Sequence, residues 1–231
     1  MPPGSSIEDV FFTSKDGTRL HGWYACAADS DAPVLICIHG NAENVTRRRQ
    51  WIEKLVKRGI SIFSFDYRGY GQSEGIPIEH GIYDDAVAAY EYLRNNRRIA
   101  PERISALGHS LGGAIAVELA TRVHLSRLIV ESSFTSISDM AGHIVPIFPF
   151  RLFLHSKYDS IRKIRRVQVP VLFVHGDKDG TVPFRLGSRL YQAANEPKSF
   201  YEIKGAAHGD IVVIGGVEYY EKISEFIKPS H

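Results

Sequence analysis

The sequence has little cysteine, and this excludes a disulfide-stabilised scaffold. Only 2 of its 231 residues are cysteine, Cys26 and Cys37, and their spacing is not that of a Cys-x-x-Cys motif. Residues 1–9 also carry neither the basic nor the apolar segment of a signal peptide. Both observations favour a reducing compartment, so we predict a cytoplasmic location.

The sequence also has little net charge. Its 28 Lys and Arg residues face 26 Asp and Glu, which leaves a formal charge of +2. A nucleic-acid-binding protein usually carries a larger and more clustered basic excess, so no nucleic-acid partner is predicted. The basic clusters that do occur, 47–49, 97–98 and 162–166, are short, and we interpret them as solvent-exposed helix faces and ends. Nothing in the composition indicates an oligomeric state.

Long apolar runs are absent as well. The most apolar segment, residues 144–150, is interrupted by Pro146 and Pro149 and falls short of the roughly 18 residues that a membrane-spanning helix needs. No transmembrane segment is therefore predicted. The hydrophobic fraction of 44% is that of an ordinary globular protein, and α/β domains of this length are common. We predict a single domain over residues 1–231.

The sequence does contain a regular alternation of apolar strands and helices. Two β-prone segments flank the turn at Asp16-Gly17, which predicts an antiparallel hairpin at the start of the chain. Continuous apolar runs then alternate with segments of helical periodicity, a pattern typical of a parallel sheet covered by helices on both faces. The predicted strands after the hairpin are 34–38, 61–65, 104–107, 128–130, 171–174 and 200–203, and the predicted helices are 47–58, 82–93, 111–121, 184–194 and 217–227.

The alternation is interrupted by a segment at residues 137–168, which is long for a connection in a compact domain. We interpret this segment as a small cap insertion. Its apolar side chains either cover an acyl-binding surface above the site or pack the insertion onto the sheet. They are Met140, Ile144, Val145, Ile147, Phe148, Phe150, Leu152, Phe153 and Leu154.

The motif Gly108-His109-Ser110-Leu111-Gly112 follows a predicted buried strand and opens a predicted helix. In that context G-x-S-x-G indicates a serine in a strained turn, with small residues where the strand and the helix pack closely. The Ser110 Oγ is then expected at a helix N-terminus, where backbone N–H groups and the helix dipole favour developing negative charge. We predict that Ser110 is a nucleophile, and a helix N-cap is the alternative.

A serine hydroxyl needs a positioned base, and the base needs an acid to orient it. His208 lies on a Gly- and Ala-rich loop after the last predicted strand, and Asp179 lies on the loop after the preceding strand. Ligands of open α/β sheets bind at such carboxyl ends of strands. We therefore predict His208 as the base and Asp179 as the acid, while Asp177 and Glu131 stay open as alternative acids.

Other kinds of site find less support in the sequence. His39, His109 and His175 end predicted strands, and we interpret them as packing or hydrogen-bonding residues. The sequence contains no H-E-x-x-H motif and no Cys/His cluster, so no metal site is predicted. Ala114-Ile115 replaces the Lys and Ser/Thr of a P-loop, and Glu74 stands at the third glycine of G-x-G-x-x-G. No cofactor is predicted.

Taken together, these motifs resemble those of the α/β-hydrolase superfamily along nearly the whole chain. His39-Gly40-Asn41-Ala42 is similar to its oxyanion loop, residues 66–73 to its loop after the following strand, and residues 108–113 to its nucleophile elbow. The resemblance implies an α/β-hydrolase fold and an oxyanion hole formed by the backbone N–H groups of Asn41 and Leu111. A simple turn role for Asn41 stays open. We expect residues 66–73 to be a structural loop without direct chemistry.

Within the superfamily, the chain resembles a compact branch that contains protein depalmitoylases. Residues 131–136, the short insertion and residues 158–164 carry this resemblance. From Ser110, Asp179 and His208 in this order at strand ends we predict a serine hydrolase that cleaves carboxylic ester or thioester bonds of small-molecule substrates through an acyl-enzyme, and the apolar cap would suit an apolar acyl group. Amide or peptide hydrolysis by the same residues and ligand binding without catalysis stay open as alternatives.

Overall fold

The computed structural model describes residues 7–144 and 156–228. Within these residues eight strands form a sheet in the order β1-β2-β4-β3-β5-β6-β7-β8. Strand β2 runs antiparallel to β1 and β4, and the other neighbours are parallel. The strands are β1 (Ile7–Thr13), β2 (Arg19–Ala25), β3 (Val34–Ile38), β4 (Ser61–Asp66), β5 (Ile104–His109), β6 (Leu128–Glu131), β7 (Val171–Gly176) and β8 (Lys198–Ile203).

Helices cover both faces of the sheet. They are α1 (Arg49–Val56), α2 (Glu79–Glu91), α3 (Leu111–Arg122), α4 (Ile137–Ile144), α5 (Ser160–Lys163), α6 (Phe184–Ala193) and α7 (Ile211–Ile227). Helices α2, α3 and α6 contribute buried side chains to the core on one face, whereas α1 and α7 contribute to the core on the other. The inner strands β3 to β7 are buried along their whole length, which explains their largely apolar sequences, whereas the edge strands β1 and β8 are partly exposed.

The predicted mostly parallel sheet with an N-terminal antiparallel hairpin is confirmed, with differences at element ends. The largest difference is at α7, which begins at Ile211 rather than at Val217. Its first turns are apolar and contain two glycines, so they lack the helical periodicity that a sequence pattern needs. Gly216 interrupts the helix with φ of 53°, a left-handed conformation that glycine adopts without a Cβ clash.

The basic cluster ahead of α1 is not uniformly exposed, so the prediction was wrong for Arg48. A 3₁₀ turn at Val45–Arg48 precedes the helix, and Arg48 is only 8% exposed. Its Nε donates to Glu43 Oε2 at 3.0 Å, which offsets the cost of burying the charge. The side chain of the next residue, Arg49, is 61% exposed. Neighbouring positions of a helical turn face different directions, so a run of like residues need not share one environment.

The predicted insertion at 137–168 begins with α4 and ends with α5 and a 3₁₀ turn at Ile164–Arg166. Met140 packs against the core below it. The Glu79 carboxylate of α2 accepts hydrogen bonds from the N–H groups of Lys157 and Tyr158 at 2.6 and 3.0 Å, which ties the end of the insertion to the scaffold. Outside what the structure describes lie the Ile144 side chain and Val145, Ile147, Phe148, Phe150, Leu152, Phe153 and Leu154.

None of the helices found in residues 7–144 and 156–228 combines the length and the apolar character needed to cross a bilayer.

The two cysteines differ in environment, and this leads to a testable difference in reactivity. Cys26 is exposed, whereas Cys37 is buried in β3, and burial raises the pKa of its thiol. Because the thiolate is the reactive form, we expect a disulfide reagent such as DTNB to modify one thiol in the native protein and a second only after denaturation. The Cys26→Ser variant should show no fast-reacting thiol. Rapid native modification of that variant would contradict the buried position of Cys37.

Candidate active site

The predicted site residues lie at the edge of the sheet where the parallel strands end. Ser110 follows β5, and Asn41 follows β3, which is the neighbour of β5 in the sheet. The chain leaves β3 for β4 on one side and continues to β5 on the other side. Such a reversal of strand order opens a crevice at the carboxyl ends of the strands, where ligands bind. Asn41 and Ser110 flank this crevice.

Ser110 occupies a strained backbone conformation at the sharp turn between β5 and α3, with φ of 55° and ψ of −117°. The surrounding backbone holds it there. Its N–H donates to Glu131 O at 2.9 Å, and its carbonyl accepts from Ser133 Oγ at 2.8 Å and from the Gly113 N–H at 3.0 Å. The strain therefore persists because several bonds determine the turn, and the turn sets Ser110 at the N-terminus of α3.

The two glycines on either side of Ser110 are required by close backbone packing. A Cβ on Gly108 would lie 2.0 Å from the carbonyl oxygen of Gly112, and a Cβ on Gly112 would lie 2.1 Å from Ile38 O in β3. Both contacts are with backbone, which cannot move aside as a flexible side chain can. The G-x-S-x-G spacing thus allows the first turn of α3 to pack directly against β3 and β5.

His208 and Asp179 form a short hydrogen bond, with 2.7 Å between His208 Nδ1 and Asp179 Oδ2. An ionised carboxylate can only accept, so Nδ1 carries a proton, and in the neutral imidazole Nε2 is then the nitrogen with a lone pair. Asp179 Oδ1 accepts from the N–H groups of Thr181 and Val182 at 2.9 and 2.8 Å. Burial by itself raises the pKa of Asp179, but hydrogen bonds from His175, His208 and Val182 outweigh it, so this pKa lies well below its ordinary value.

The two alternative acids make other contacts. Asp177 Oδ1 accepts from the Gly205 N–H at 2.6 Å, which is a loop-to-loop contact. Glu131 Oε2 accepts from the Tyr219 hydroxyl at 2.5 Å, and burial raises the pKa of the Glu131 carboxyl. In the part of the chain that the structure describes, Asp179 is the acid of the three that bonds to the His208 ring.

His208 lies next to the residue that precedes the serine. The rings of His208 and His109 have centroids 4.9 Å apart, and His109 Nε2 is 3.4 Å from the His208 carbonyl oxygen. Between the described residues no hydrogen bond joins Ser110 Oγ to the His208 ring. In proteins without bound substrate such bonds are often long or poorly aligned and tighten only in the complex, so the lack of this bond does not exclude His208 as the base.

The other histidines at strand ends make scaffold contacts, in agreement with the interpretation from sequence. His39 Nδ1 donates to Gly40 O at 2.8 Å. His175 Nε2 donates to Val182 O at 3.0 Å and also lies 3.4 Å from Asp179 Oδ2, so His175 helps to hold the acid in place. Burial, together with the charge of Arg48, lowers the pKa of His109 to about 3, so its imidazole is a poor base. Among residues 7–144 and 156–228 no cluster of three or more His, Cys, Asp or Glu side chains is arranged to hold a metal ion.

A cavity of about 420 Å³ also touches His208, and its other lining residues include charged side chains, among them Glu43, Arg48 and Glu131. A different cavity, of about 590 Å³, brings Ser110 together with the two residues whose N–H groups were predicted to form the oxyanion hole, Asn41 and Leu111. Leu111 begins α3, so its N–H has no acceptor within the helix and is free to bind an anionic oxygen. The remaining described lining residues are mostly apolar or aromatic and carry no charge: Tyr70, Pro77, Ile82, Phe134, Ile137, Ser156 and Tyr158.

Two tyrosines that bond to the loop after β3 were missed by sequence reasoning, and one of them, Tyr70, lines this cavity. The Tyr70 hydroxyl donates to Asn41 Oδ1 at 2.5 Å, and the Tyr67 hydroxyl shares its proton between Gly40 O at 3.3 Å and His39 O at 3.4 Å. Both lie in the loop at residues 66–73, which the sequence led us to expect as purely structural. No local pattern marks these contacts, because they depend on how the loop after β4 folds back over the loop after β3.

Known proteins similar to this chain cover most of its length. A family model described as serine aminopeptidase, S33, matches residues 29–158. The uncharacterized protein Rv2307c of Mycobacterium tuberculosis is 37% identical over 233 residues, which span 98% of this chain and 83% of that protein. The α/β-hydrolase domain-containing protein WAV2 of Arabidopsis thaliana is 32% identical over 241 residues, which span 96% of this chain and 78% of WAV2.

Solved structures give the same result for the fold. The esterase Pf2001 of Pyrococcus furiosus superposes with a TM-score of 0.81 over 96% of this chain and 92% of the esterase, at 20% identity. At that level of identity the likeness concerns the fold alone. The predicted α/β-hydrolase fold is confirmed.

Proposed function

The chain belongs to the α/β-hydrolase family described as serine aminopeptidase, S33, and we propose that it is a serine hydrolase that cleaves carboxylic esters or thioesters of apolar acyl groups. The observation that carries this proposal is the hydrogen bond from His208 to Asp179, at the same sheet edge as the strained turn of Ser110. A nucleophile, a base and an orienting acid are the minimum set for acyl transfer by serine.

In the proposed reaction, Ser110 Oγ attacks the acyl carbon while His208 Nε2 takes the hydroxyl proton. Asp179 holds the imidazole in this tautomer and stabilises the imidazolium that forms. The carbonyl oxygen becomes anionic and accepts hydrogen bonds from the N–H groups of Asn41 and Leu111. His208 then gives its proton to the departing alcohol or thiol, and the acyl group stays bonded to Ser110.

Hydrolysis of the acyl-enzyme repeats these steps with water. His208 Nε2 takes a proton from the water molecule whose oxygen attacks the acyl carbon, and Ser110 Oγ leaves with that proton as the acid is released. The cavity of about 420 Å³ that His208 lines also carries charged side chains, among them Glu43 and Arg48, and we propose that water reaches the base from this side.

The cavity that contains Ser110 supports an apolar acyl group. None of its described lining residues carries a charge, and Ile82 and Phe134 are buried apolar side chains in its wall. A free N-terminal ammonium placed there would lose its hydration without gaining a carboxylate partner, which is unfavourable. Acyl chains gain free energy from the same surface because they leave water.

Amide hydrolysis of an aminoacyl substrate is the second candidate. Glu43, which Arg48 contacts at 3.0 Å, lines the other cavity beside His208, and its carboxylate is the group there that could bind a substrate ammonium. The name of the matching family model points the same way. The two candidates use the same nucleophile and base. They differ in the cavity that recognises the substrate: an acyl chain would bind in the cavity that contains Ser110, and an ammonium group in the cavity beside Glu43.

A panel of p-nitrophenyl esters of increasing acyl length, beside an acyl-thioester and an aminoacyl p-nitroanilide, separates these candidates. We expect kcat/KM to rise by up to about fourfold per added methylene until the cavity is full, and then to fall. Ile137→Trp should move the optimum to a shorter chain because Ile137 lines the cavity. Phe11→Trp, on the exposed face of β1, is the control. A flat profile, or a preference for the anilide, would overturn the proposed acyl group.

A further inference from the structure

The peptide that joins Gly40 to Asn41 is held from its carbonyl side. Gly40 O accepts from His39 Nδ1 at 2.8 Å, and it also accepts at 3.3 Å from the Tyr67 hydroxyl, which shares its single proton with His39 O at 3.4 Å. A trans peptide is planar, and its C=O and N–H point in opposite directions. Two donors that fix the direction of Gly40 O therefore also fix the direction of the Asn41 N–H. The donors never touch the N–H that they orient.

The side chain of the same asparagine is held by a second tyrosine. The Tyr70 hydroxyl donates to Asn41 Oδ1 at 2.5 Å, and both residues line the cavity that contains Ser110. Asn41 is otherwise an exposed residue on a short loop, where backbone torsions are usually free to vary. Contacts at Gly40 O and at Asn41 Oδ1 together restrain the torsions on both sides of the Asn41 N–H.

The two tyrosines are themselves rigidly placed. The Tyr67 ring is fully buried and stacks on the His39 ring with centroids 4.4 Å apart, and the Tyr70 ring packs edge-on against Tyr67, also at 4.4 Å. Burial raises the pKa of both hydroxyls, so both keep the proton that they donate at neutral and mildly alkaline pH. Their hydrogen bonds to the loop after β3 therefore persist across the usual assay range.

We propose that Tyr67 and Tyr70 are positioning residues that aim the Asn41 N–H at the oxyanion, so that the loop after β4 forms an outer part of the oxyanion hole. This inference rests on the proposed hydrolase function. It assigns a role in the reaction to a loop that contributes neither the nucleophile nor an oxyanion donor of its own. The role is indirect, because the tyrosines act on the donor rather than on the substrate.

The proposal has a kinetic signature. The anionic oxygen exists only in the transition state, so a donor that is poorly aimed lowers kcat and leaves KM nearly unchanged. Complete loss of one oxyanion donor costs about 100- to 1000-fold. Tyr70→Phe keeps the donor and removes one of its restraints, so we expect kcat to fall by about tenfold, within the range that small misplacements produce.

A double-mutant cycle tests the proposal on the full-length protein. Asn41→Ala removes the acceptor of the Tyr70 hydroxyl but keeps the backbone N–H, so it should lower kcat by about as much as Tyr70→Phe. The double variant should be no slower than either single variant. Tyr191→Phe, which removes the hydroxyl of a half-buried ring on α6 that packs against Phe173, is the matched control and should leave kcat unchanged. The melting temperature of each variant shows whether a lower kcat comes from unfolding of the protein or from a misplaced Asn41 N–H.

The outcomes distinguish this inference from the function on which it rests. If the wild type hydrolyses esters and Tyr70→Phe keeps its kcat, or if the two single losses multiply in the double variant, the positioning role is overturned and the hydrolase stands. If the wild type neither hydrolyses esters or amides nor reacts with a fluorophosphonate, both fail together. A kcat loss with constant KM and no further loss in the double variant supports the positioning role.

Discussion

The Ser110→Ala variant is expected to lose ester hydrolysis almost completely, with kcat lower by about 10⁴- to 10⁶-fold. Without the hydroxyl no acyl-enzyme forms, and the oxyanion hole and the binding surface alone leave only a small acceleration over water. The protein should still fold, since the bonds that determine the turn at Ser110 all come from its backbone. Activity against the best ester of the panel, measured beside the melting temperature, checks both statements.

A covalent label gives an independent readout of the same residue. A fluorophosphonate should modify Ser110 in the wild type and leave Ser110→Ala unlabelled. Ser126→Ala, at the opposite edge of the sheet just before β6, is the matched control and should label and hydrolyse like the wild type. Full activity in Ser110→Ala would contradict the proposed mechanism, and a label on another serine would identify that serine as the nucleophile.

The Asp179→Asn variant is expected to lower kcat by about 10⁴-fold. In the wild type, Asp179 Oδ2 accepts a hydrogen bond from His208 Nδ1 at 2.7 Å, which leaves Nε2 to take a proton from the serine. An amide can donate to Nδ1 instead, and it then favours the tautomer in which Nε2 already carries a proton. The amide also carries no charge to stabilise an imidazolium. Steady-state kinetics with the best ester measures the loss.

Asp177→Asn is the matched control, because Asp177 lies two residues away and bonds to the Gly205 N–H rather than to His208. Its kcat should stay within about twofold of the wild type, as expected for a contact away from the reacting groups. A large loss of kcat in Asp177→Asn together with a small loss in Asp179→Asn would show that Asp177, and not Asp179, is the acid.

The Asp179→Asn substitution also has a predicted effect on the stability of the fold. The pKa of Asp179 is below its ordinary value in the folded protein, so its ionised form stabilises the fold at pH values above the unfolded pKa of about 3.9. That contribution is lost as the pH falls through this value towards the folded pKa. The melting temperature of the wild type should therefore exceed that of Asp179→Asn at pH 7, and the difference should shrink by pH 3. A difference that grows on acidification would contradict the depressed pKa.

The scaffold could be predicted because its signals are local. A strand buried on both faces needs a continuous apolar run, as in β3 and β5, and the tight turn at Ser110 needs glycine at positions 108 and 112. Each requirement acts within a few residues of chain and leaves a recognisable pattern. Where the local pattern is ambiguous, as in the Gly-containing start of α7, the prediction missed the beginning of the helix by six residues, since Ile211 begins it rather than Val217.

The sequence by itself determined the order of strands and helices, the turn that presents Ser110, and the short set of acids and bases at the strand ends. Only the tertiary structure decided which of them meet: Asp179 rather than Asp177 or Glu131 reaches His208, 29 residues away along the chain. It also brought Tyr70 onto Asn41, again 29 residues apart. The physical reason is that a hydrogen bond between loops depends on how separate strands are aligned in the sheet. A side chain two positions along a loop faces another direction, and no local pattern records that alignment.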